Sequence, residues 1–127
     1  MINLLMVFAG GGLGAVARYG AGIAAMRAGL TAWPWGTLLV NVVGGLAMGV
    51  LAGVLAHRGG ADQERWRLLL GVGVLGGFTT FSAYSLETAL MIERREWGSA
   101  TAYIAASSLL AIGAVFVGLM LARKVFA

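Results

Sequence analysis

The sequence predicts an all-α membrane protein of four transmembrane helices, and three observations carry that prediction. Of its 127 residues 60% are hydrophobic types and 11% are charged, with a mean hydropathy of +0.89; an ordinary soluble domain is nearer a quarter charged. The apolar residues fall into four stretches of the roughly 20 residues a helix needs to cross a bilayer, separated by short polar connections. The third stretch carries Gly76, Gly77, Thr79, Thr80, Ser82 and Ser85 near its middle. Hydrocarbon cannot solvate free backbone groups, so a break there survives only where protein buries it or water reaches it.

The first span is expected over about residues 4–26, interrupted only by Arg18. No basic start precedes it, so it is expected to stay rather than be cleaved as a signal peptide. In the connection to the second span, Trp33, Pro34 and Trp35 suit an interfacial anchor and a helix start. The second span covers about residues 36–56, and the connection after it holds Arg58, Asp62, Glu64, Arg65 and Arg67. The third covers about residues 68–92 and includes the broken centre. A charged turn over about 93–98 leads to the fourth span, about 99–122, and then to Arg123 and Lys124. With no Pro/Ser linker, residues 1–127 read as a single four-span domain.

Glycine recurs at four-residue spacing in three spans: Gly10 with Gly14, Gly45 with Gly49 and Gly53, Gly73 with Gly77. Small residues on one helical face let backbones approach closely in lipid, so these are packing seams. The run from Gly10 to Ala15 also loosely matches a dinucleotide fingerprint, but no strand precedes it and no βαβ unit follows. Thin helices of Gly and Ala offer little core of their own, which predicts an oligomer.

Several function classes are excluded. Without cysteine there is no disulfide or thiolate metal site, and His57 has no second histidine beside it. The net charge of +4 is scattered among connections, not gathered on one face, so nucleic-acid binding is not indicated. The basic residues divide almost evenly: Arg58, Arg65, Arg67, Arg123 and Lys124 on one side, Arg18, Arg27, Arg94 and Arg95 on the other. Positive residues near the spans normally set orientation. This chain has little such instruction, which predicts insertion both ways up and an antiparallel dimer with its two-fold axis in the membrane plane.

The candidate site residues are mostly neutral donors and aromatic rings. Asn41 is the carboxamide within a span, and its burial unpaired would cost a few kcal/mol, so it either ties helices together or lines a path. Tyr103 and Ser107 are four apart and share a helical face, with Ser108 beside them. Thr80 and Ser82 add hydroxyls at the break. Phe81 and Tyr84 share a face if helix resumes there, and an aromatic ring presents a positive edge to an anion. Neutral donors hold an ion without trapping it, and conduction needs the ion to leave. Arg18 either snorkels to the interface or draws anions into a wet vestibule. Glu87 follows the break, with ion pairing, helix capping and proton carriage all open to it. These residues support a path for a small anion.

The segments Gly11-Gly-Leu-Gly-Ala-Val-Ala-Arg18, Trp35-Gly-Thr-Leu-Leu-Val-Asn41 with Gly44, and Gly76-Gly-Phe-Thr-Thr-Phe-Ser82 through Glu87 resemble the Fluc/CrcB fluoride channels over essentially the whole chain. The resemblance implies a dual-topology homodimer in the cell membrane with two antiparallel pores, passively exporting fluoride and so reducing its toxicity. It implies a channel, not an enzyme. By the same resemblance Asn41 and Phe81 are pore residues, Ser82, Tyr103 and Ser107 belong to a polar track, and Arg18 lies in a vestibule. Gly76 and Thr79 match the positions whose backbone carbonyls hold a structural sodium ion on the dimer axis, which is not transported. Ala83 and Tyr84 stand where the family commonly has a second Thr and a second pore Phe, so Tyr84 is the pore aromatic in a variant form. Such a variant is also what one half of a pair of unlike subunits would carry. The alternative is a proton-coupled exporter of small organic cations resembling the small multidrug resistance family. Its members use an acidic residue in the first span, where this chain has Arg18.

Overall fold

Four helical runs in the computed structural model, which describes residues 1–126, are long and apolar enough to cross a membrane. Helix α1 spans Ile2–Arg27 and α2 spans Trp35–Arg58. The third run, Gln63–Glu93, is composite. Its first part, α3 (residues 63–78), comprises an α-turn Gln63–Trp66, a π-helical stretch Arg67–Leu75 and a last turn Gly76–Phe78. Two residues with extended backbone follow, Thr79 (φ −87°, ψ 157°) and Thr80 (φ −149°, ψ 123°). Helix α4 then covers Phe81–Glu93 and α5 covers Trp97–Phe126. The helices run a few residues past the apolar stretches, because their charged ends, such as Arg123 and Lys124, remain helical.

Local chemistry sets the ends. Pro34 caps α2, its missing N–H costing nothing where helical N–H groups lack partners anyway. Gly59 (φ 60°) and Gly60 (φ 103°) stop the same helix in backbone conformations that L side chains avoid. The Thr80 hydroxyl accepts from the Ala83 N–H at 3.1 Å, so the residue that ends the extended pair also starts α4.

The helices pack as two interleaved pairs: α1 lies along α3, and α2 lies along α5. Glycines make both seams. A Cβ on Gly10 would strike the Leu69 carbonyl, and one on Gly14 the Val74 carbonyl. In the second pair Gly45 and Gly49 meet the carbonyls of Ala111 and Val115, and Gly118 meets that of Leu46. Backbone-to-backbone contact of this kind replaces the hydrophobic drive that lipid removes. Contact between the two pairs is sparser. The buried core is small, built on Leu38, Met91, Ala100 and Tyr103 with Trp33, Val42, Tyr84 and Ala106 packed against it. Phe8, Leu13, Val16, Leu109 and Phe116 are exposed, as befits surfaces that face lipid.

Candidate functional site

The site is built where α2 crosses the extended pair. Asn41 Nδ2 donates to the Thr80 carbonyl at 3.0 Å, and the Thr80 N–H donates to Asn41 Oδ1 at 2.8 Å. The carboxamide thus takes the place of a neighbouring strand for one residue, leaving one Nδ2–H without an acceptor among the described residues. Gly44, one turn on, lies against the Thr79 methyl, where a Cβ would collide. Thr79 bonds back to the Leu75 carbonyl through both its N–H (3.0 Å) and its hydroxyl (2.9 Å). Thr80 and Ser82 share a hydroxyl–hydroxyl bond of 3.2 Å.

Arg18 reaches the same region from α1, its Nε donating to the Gly77 carbonyl at 3.1 Å. A cation is favoured at the carbonyl end of a helix, and here it ties α1 to the last turn of α3. Arg18 also lines an open cleft of about 310 Å³ with Tyr19, Gly36, Thr37, Thr80 and Ala83. Snorkelling alone therefore does not describe it.

Glu87 is the carboxylate within the apolar spans, and each of its oxygens accepts a hydroxyl. Thr37 Oγ1 donates to Oε2 at 2.9 Å, and Tyr103 OH donates to Oε1 at 3.0 Å. The ion pairs among the described residues involve Arg65, Arg67 and Arg94, all outside this cluster. Tyr103 is fully buried, and Tyr84 lies between it and Phe81, with ring centroids 5.2 Å and 5.4 Å away. Phe81 is 78% exposed, so its ring projects from the surface of the single chain. Ser107 is buried one turn beyond Tyr103, and its hydroxyl has no partner among the described residues. Ser108 is exposed and not part of this cluster.

Asn41, Thr80 and Ser82 thus form one bonded set. Phe81, Tyr84, Tyr103 and Glu87 form a second through ring contacts and a hydroxyl, while Arg18 bonds Gly77 and shares the cleft with Thr80. Thr37 is the residue that sequence reasoning missed. It stands four before Asn41 and therefore on the same helical face, a spacing that would have singled it out.

No cluster of His, Cys, Asp and Glu suited to a metal exists among the described residues. Carbonyl oxygens are another matter. The Thr80 N–H that would close the helical bond to Gly76 is turned to Asn41, so the Gly76 carbonyl lacks its intrahelical donor, and Gly76 is exposed. Thr79 is extended, which turns its carbonyl out of the helical direction. Carbonyl oxygens are the donors a hard cation takes, so these two residues fit a sodium ion.

Comparison with known proteins follows the same lines. Residues 5–119 match the family model described as CrcB-like protein, Camphor Resistance (CrcB). The chain is 65% identical over 127 residues to a protein of Phenylobacterium zucineum (strain HLK1) named fluoride-specific ion channel FluC, covering 100% of both chains. It is 63% identical over 127 residues to one of that name in Caulobacter vibrioides (strain NA1000 / CB15N), and 55% identical to one in Rhodospirillum centenum (strain ATCC 51521 / SW), again with 100% of both chains covered.

Proposed function

This chain belongs to the CrcB family, and from that premise we propose how it works: it is a fluoride-specific ion channel, a multi-pass protein of the cell membrane that lets fluoride leave down its gradient. It is not an enzyme. The observation that carries the reading is the predominance of neutral donors in the site. Hydroxyls, amides and ring edges line it, and both oxygens of its one carboxylate, Glu87, are already engaged by Thr37 and Tyr103. That carboxylate is thus held by hydroxyls among the described residues rather than belonging to a ring of acidic groups, whereas neutral donors suit a small anion that must also depart.

In this mechanism Arg18 gives the cleft its positive charge, and the spare Nδ2–H of Asn41 and the hydroxyls of Thr80 and Ser82 replace water around the ion. Phe81 and Tyr84 offer ring edges. Ser107 continues the donors along α5, while the Tyr103 hydroxyl stays on Glu87. The exposure of Gly76, Phe81 and Ser82, on either side of the extended pair, favours a second subunit against this face, in an antiparallel homodimer of dual topology. The carbonyls of Gly76 and Thr79 would hold a sodium ion there. When bound, that ion supplies fixed positive charge at the interrupted helix ends. The test is efflux from loaded liposomes containing only this protein. Fluoride should leave while chloride stays trapped, and comparable chloride release would sink the assignment.

A further inference from the structure

Trp33 lies in the connection before α2, outside the helices, where an indole ordinarily anchors at the headgroup level. Its contacts are different. Trp33 Nε1 donates to Ser99 Oγ at 2.9 Å, and its ring meets that of Tyr103 edge-on, centroids 5.3 Å apart at 71°. Ser99 and Tyr103 are four apart on α5, so one indole grips that helix at two points on the same face. The turn behind it is tight, the Trp35 N–H reaching back to the Trp33 carbonyl at 2.7 Å. Trp35 packs against Trp33 at 4.7 Å and is itself exposed. Trp35 is thus placed as the anchor, and Trp33 is turned inward onto the small core of Leu38, Met91, Ala100 and Tyr103.

We propose that Trp33 is a positioning residue for conduction, holding the Tyr103 ring so that its hydroxyl stays on Glu87. The proposal rests on the channel reading. Tyr103 is fully buried, and the rings in contact with it are Trp33 and Tyr84. Trp33 also shares with Glu87, Pro34, Met91 and Arg94 the lining of a separate cavity of about 220 Å³. Removing the indole uncovers the face of the Tyr103 ring that it packs against, frees the ring to turn, and loosens the hydroxyl from Glu87, which already lines that cavity. A residue outside the spans then sets the geometry of a hydrogen bond within them.

The test separates assembly from conduction. At low protein density many liposomes hold at most one channel, so the fraction that empties counts assembled channels, while the rate of emptying reports each one. Trp33→Ala is expected to slow fluoride release by about tenfold or more at an unchanged active fraction, since loose support commonly costs that much. Trp33→Phe keeps a ring edge and should stay within about threefold of wild type. Tyr103→Phe added to Trp33→Ala should slow release no further, because both act on one contact. Should Trp33→Ala fail to assemble, Trp33→Leu, which keeps apolar bulk without a ring, carries the same expectation. A wild-type rate in either ringless variant, a loss confined to the active fraction, a Phe variant as slow as the ringless one, or additive effects in the double variant would each overturn the proposal. A wild-type protein that releases no fluoride would overturn the channel reading, and this proposal with it.

Discussion

Asn41 shows how much one carboxamide settles. It satisfies the N–H and the C=O of Thr80 together, groups that hydrocarbon would otherwise leave unpaired at a cost of several kcal/mol each. Asn41→Asp keeps the shape and the acceptor but sets an oxygen against the Thr80 carbonyl. Stability is expected to fall by about 1–3 kcal/mol, read as folded protein surviving a heating series on size-exclusion chromatography, with fluoride efflux reduced alongside. Tyr84 makes a second residue-scale case. Its ring lies between Phe81 and Tyr103, so Tyr84→Phe, which loses one oxygen, should alter initial fluoride efflux only modestly. Tyr84→Ile and Phe81→Ile delete a ring edge and should cut efflux strongly without preventing assembly. A dead but dimeric Phe variant would make the hydroxyl itself essential. At this scale the sequence singled out the residues and not their partners. Asn41 stood out as an amide in an apolar span, but its pairing with Thr80 depends on how α2 crosses the third run. Arg18 stood out as a cation for the interface or a vestibule, and it does line an open cleft, but the bond of its Nε to Gly77 was not legible. Thr37 looked like any small polar residue until Glu87 was placed beside it.

The helices themselves were more legible, since apolar length and polar punctuation follow directly from the bilayer. What neither pattern contains is winding. Arg67–Leu75 is π-helical, the Gly76 N–H reaching the Gly71 carbonyl five residues back, and composition gives no warning of it. The glycine spacing, by contrast, marked real seams and yields a paired prediction. A Cβ on Gly49 meets backbone of Val115 and Gly118 that cannot move aside, so Gly49→Ala should destabilise by about 1–3 kcal/mol. Gly98, at the start of α5, has open space where its Cβ would go, so Gly98→Ala should behave as wild type. Apparent melting of purified protein in detergent checks both, and equal losses at the two positions would refute the seam.

For the molecule as a whole, the near-even split of basic residues makes orientation the decisive property. A cysteine placed in the connection after α2 of this cysteine-free chain should be labelled in part from each side of intact cells. Two or three lysines added to one side should force a single orientation and abolish fluoride efflux by the chain expressed alone. Labelling from one side only would rule out an antiparallel homodimer and favour an unlike paired subunit.

The interleaved pairing carries a consequence for biosynthesis. Because α1 docks on α3 and α2 on α5, neither seam joins spans adjacent in the chain. The ribosome delivers its product N-terminus first at about 5–20 residues per second, so α2 waits several seconds for its partner, its glycine seam meanwhile facing lipid. The nascent half-protein therefore has no internal docking to complete, and folding is committed only when the last span arrives. Severing the chain at Gly59-Gly60 makes this visible. Neither fragment alone contains a complete seam, and each should be degraded when made singly. Made together in one cell, they should protect each other and restore fluoride efflux.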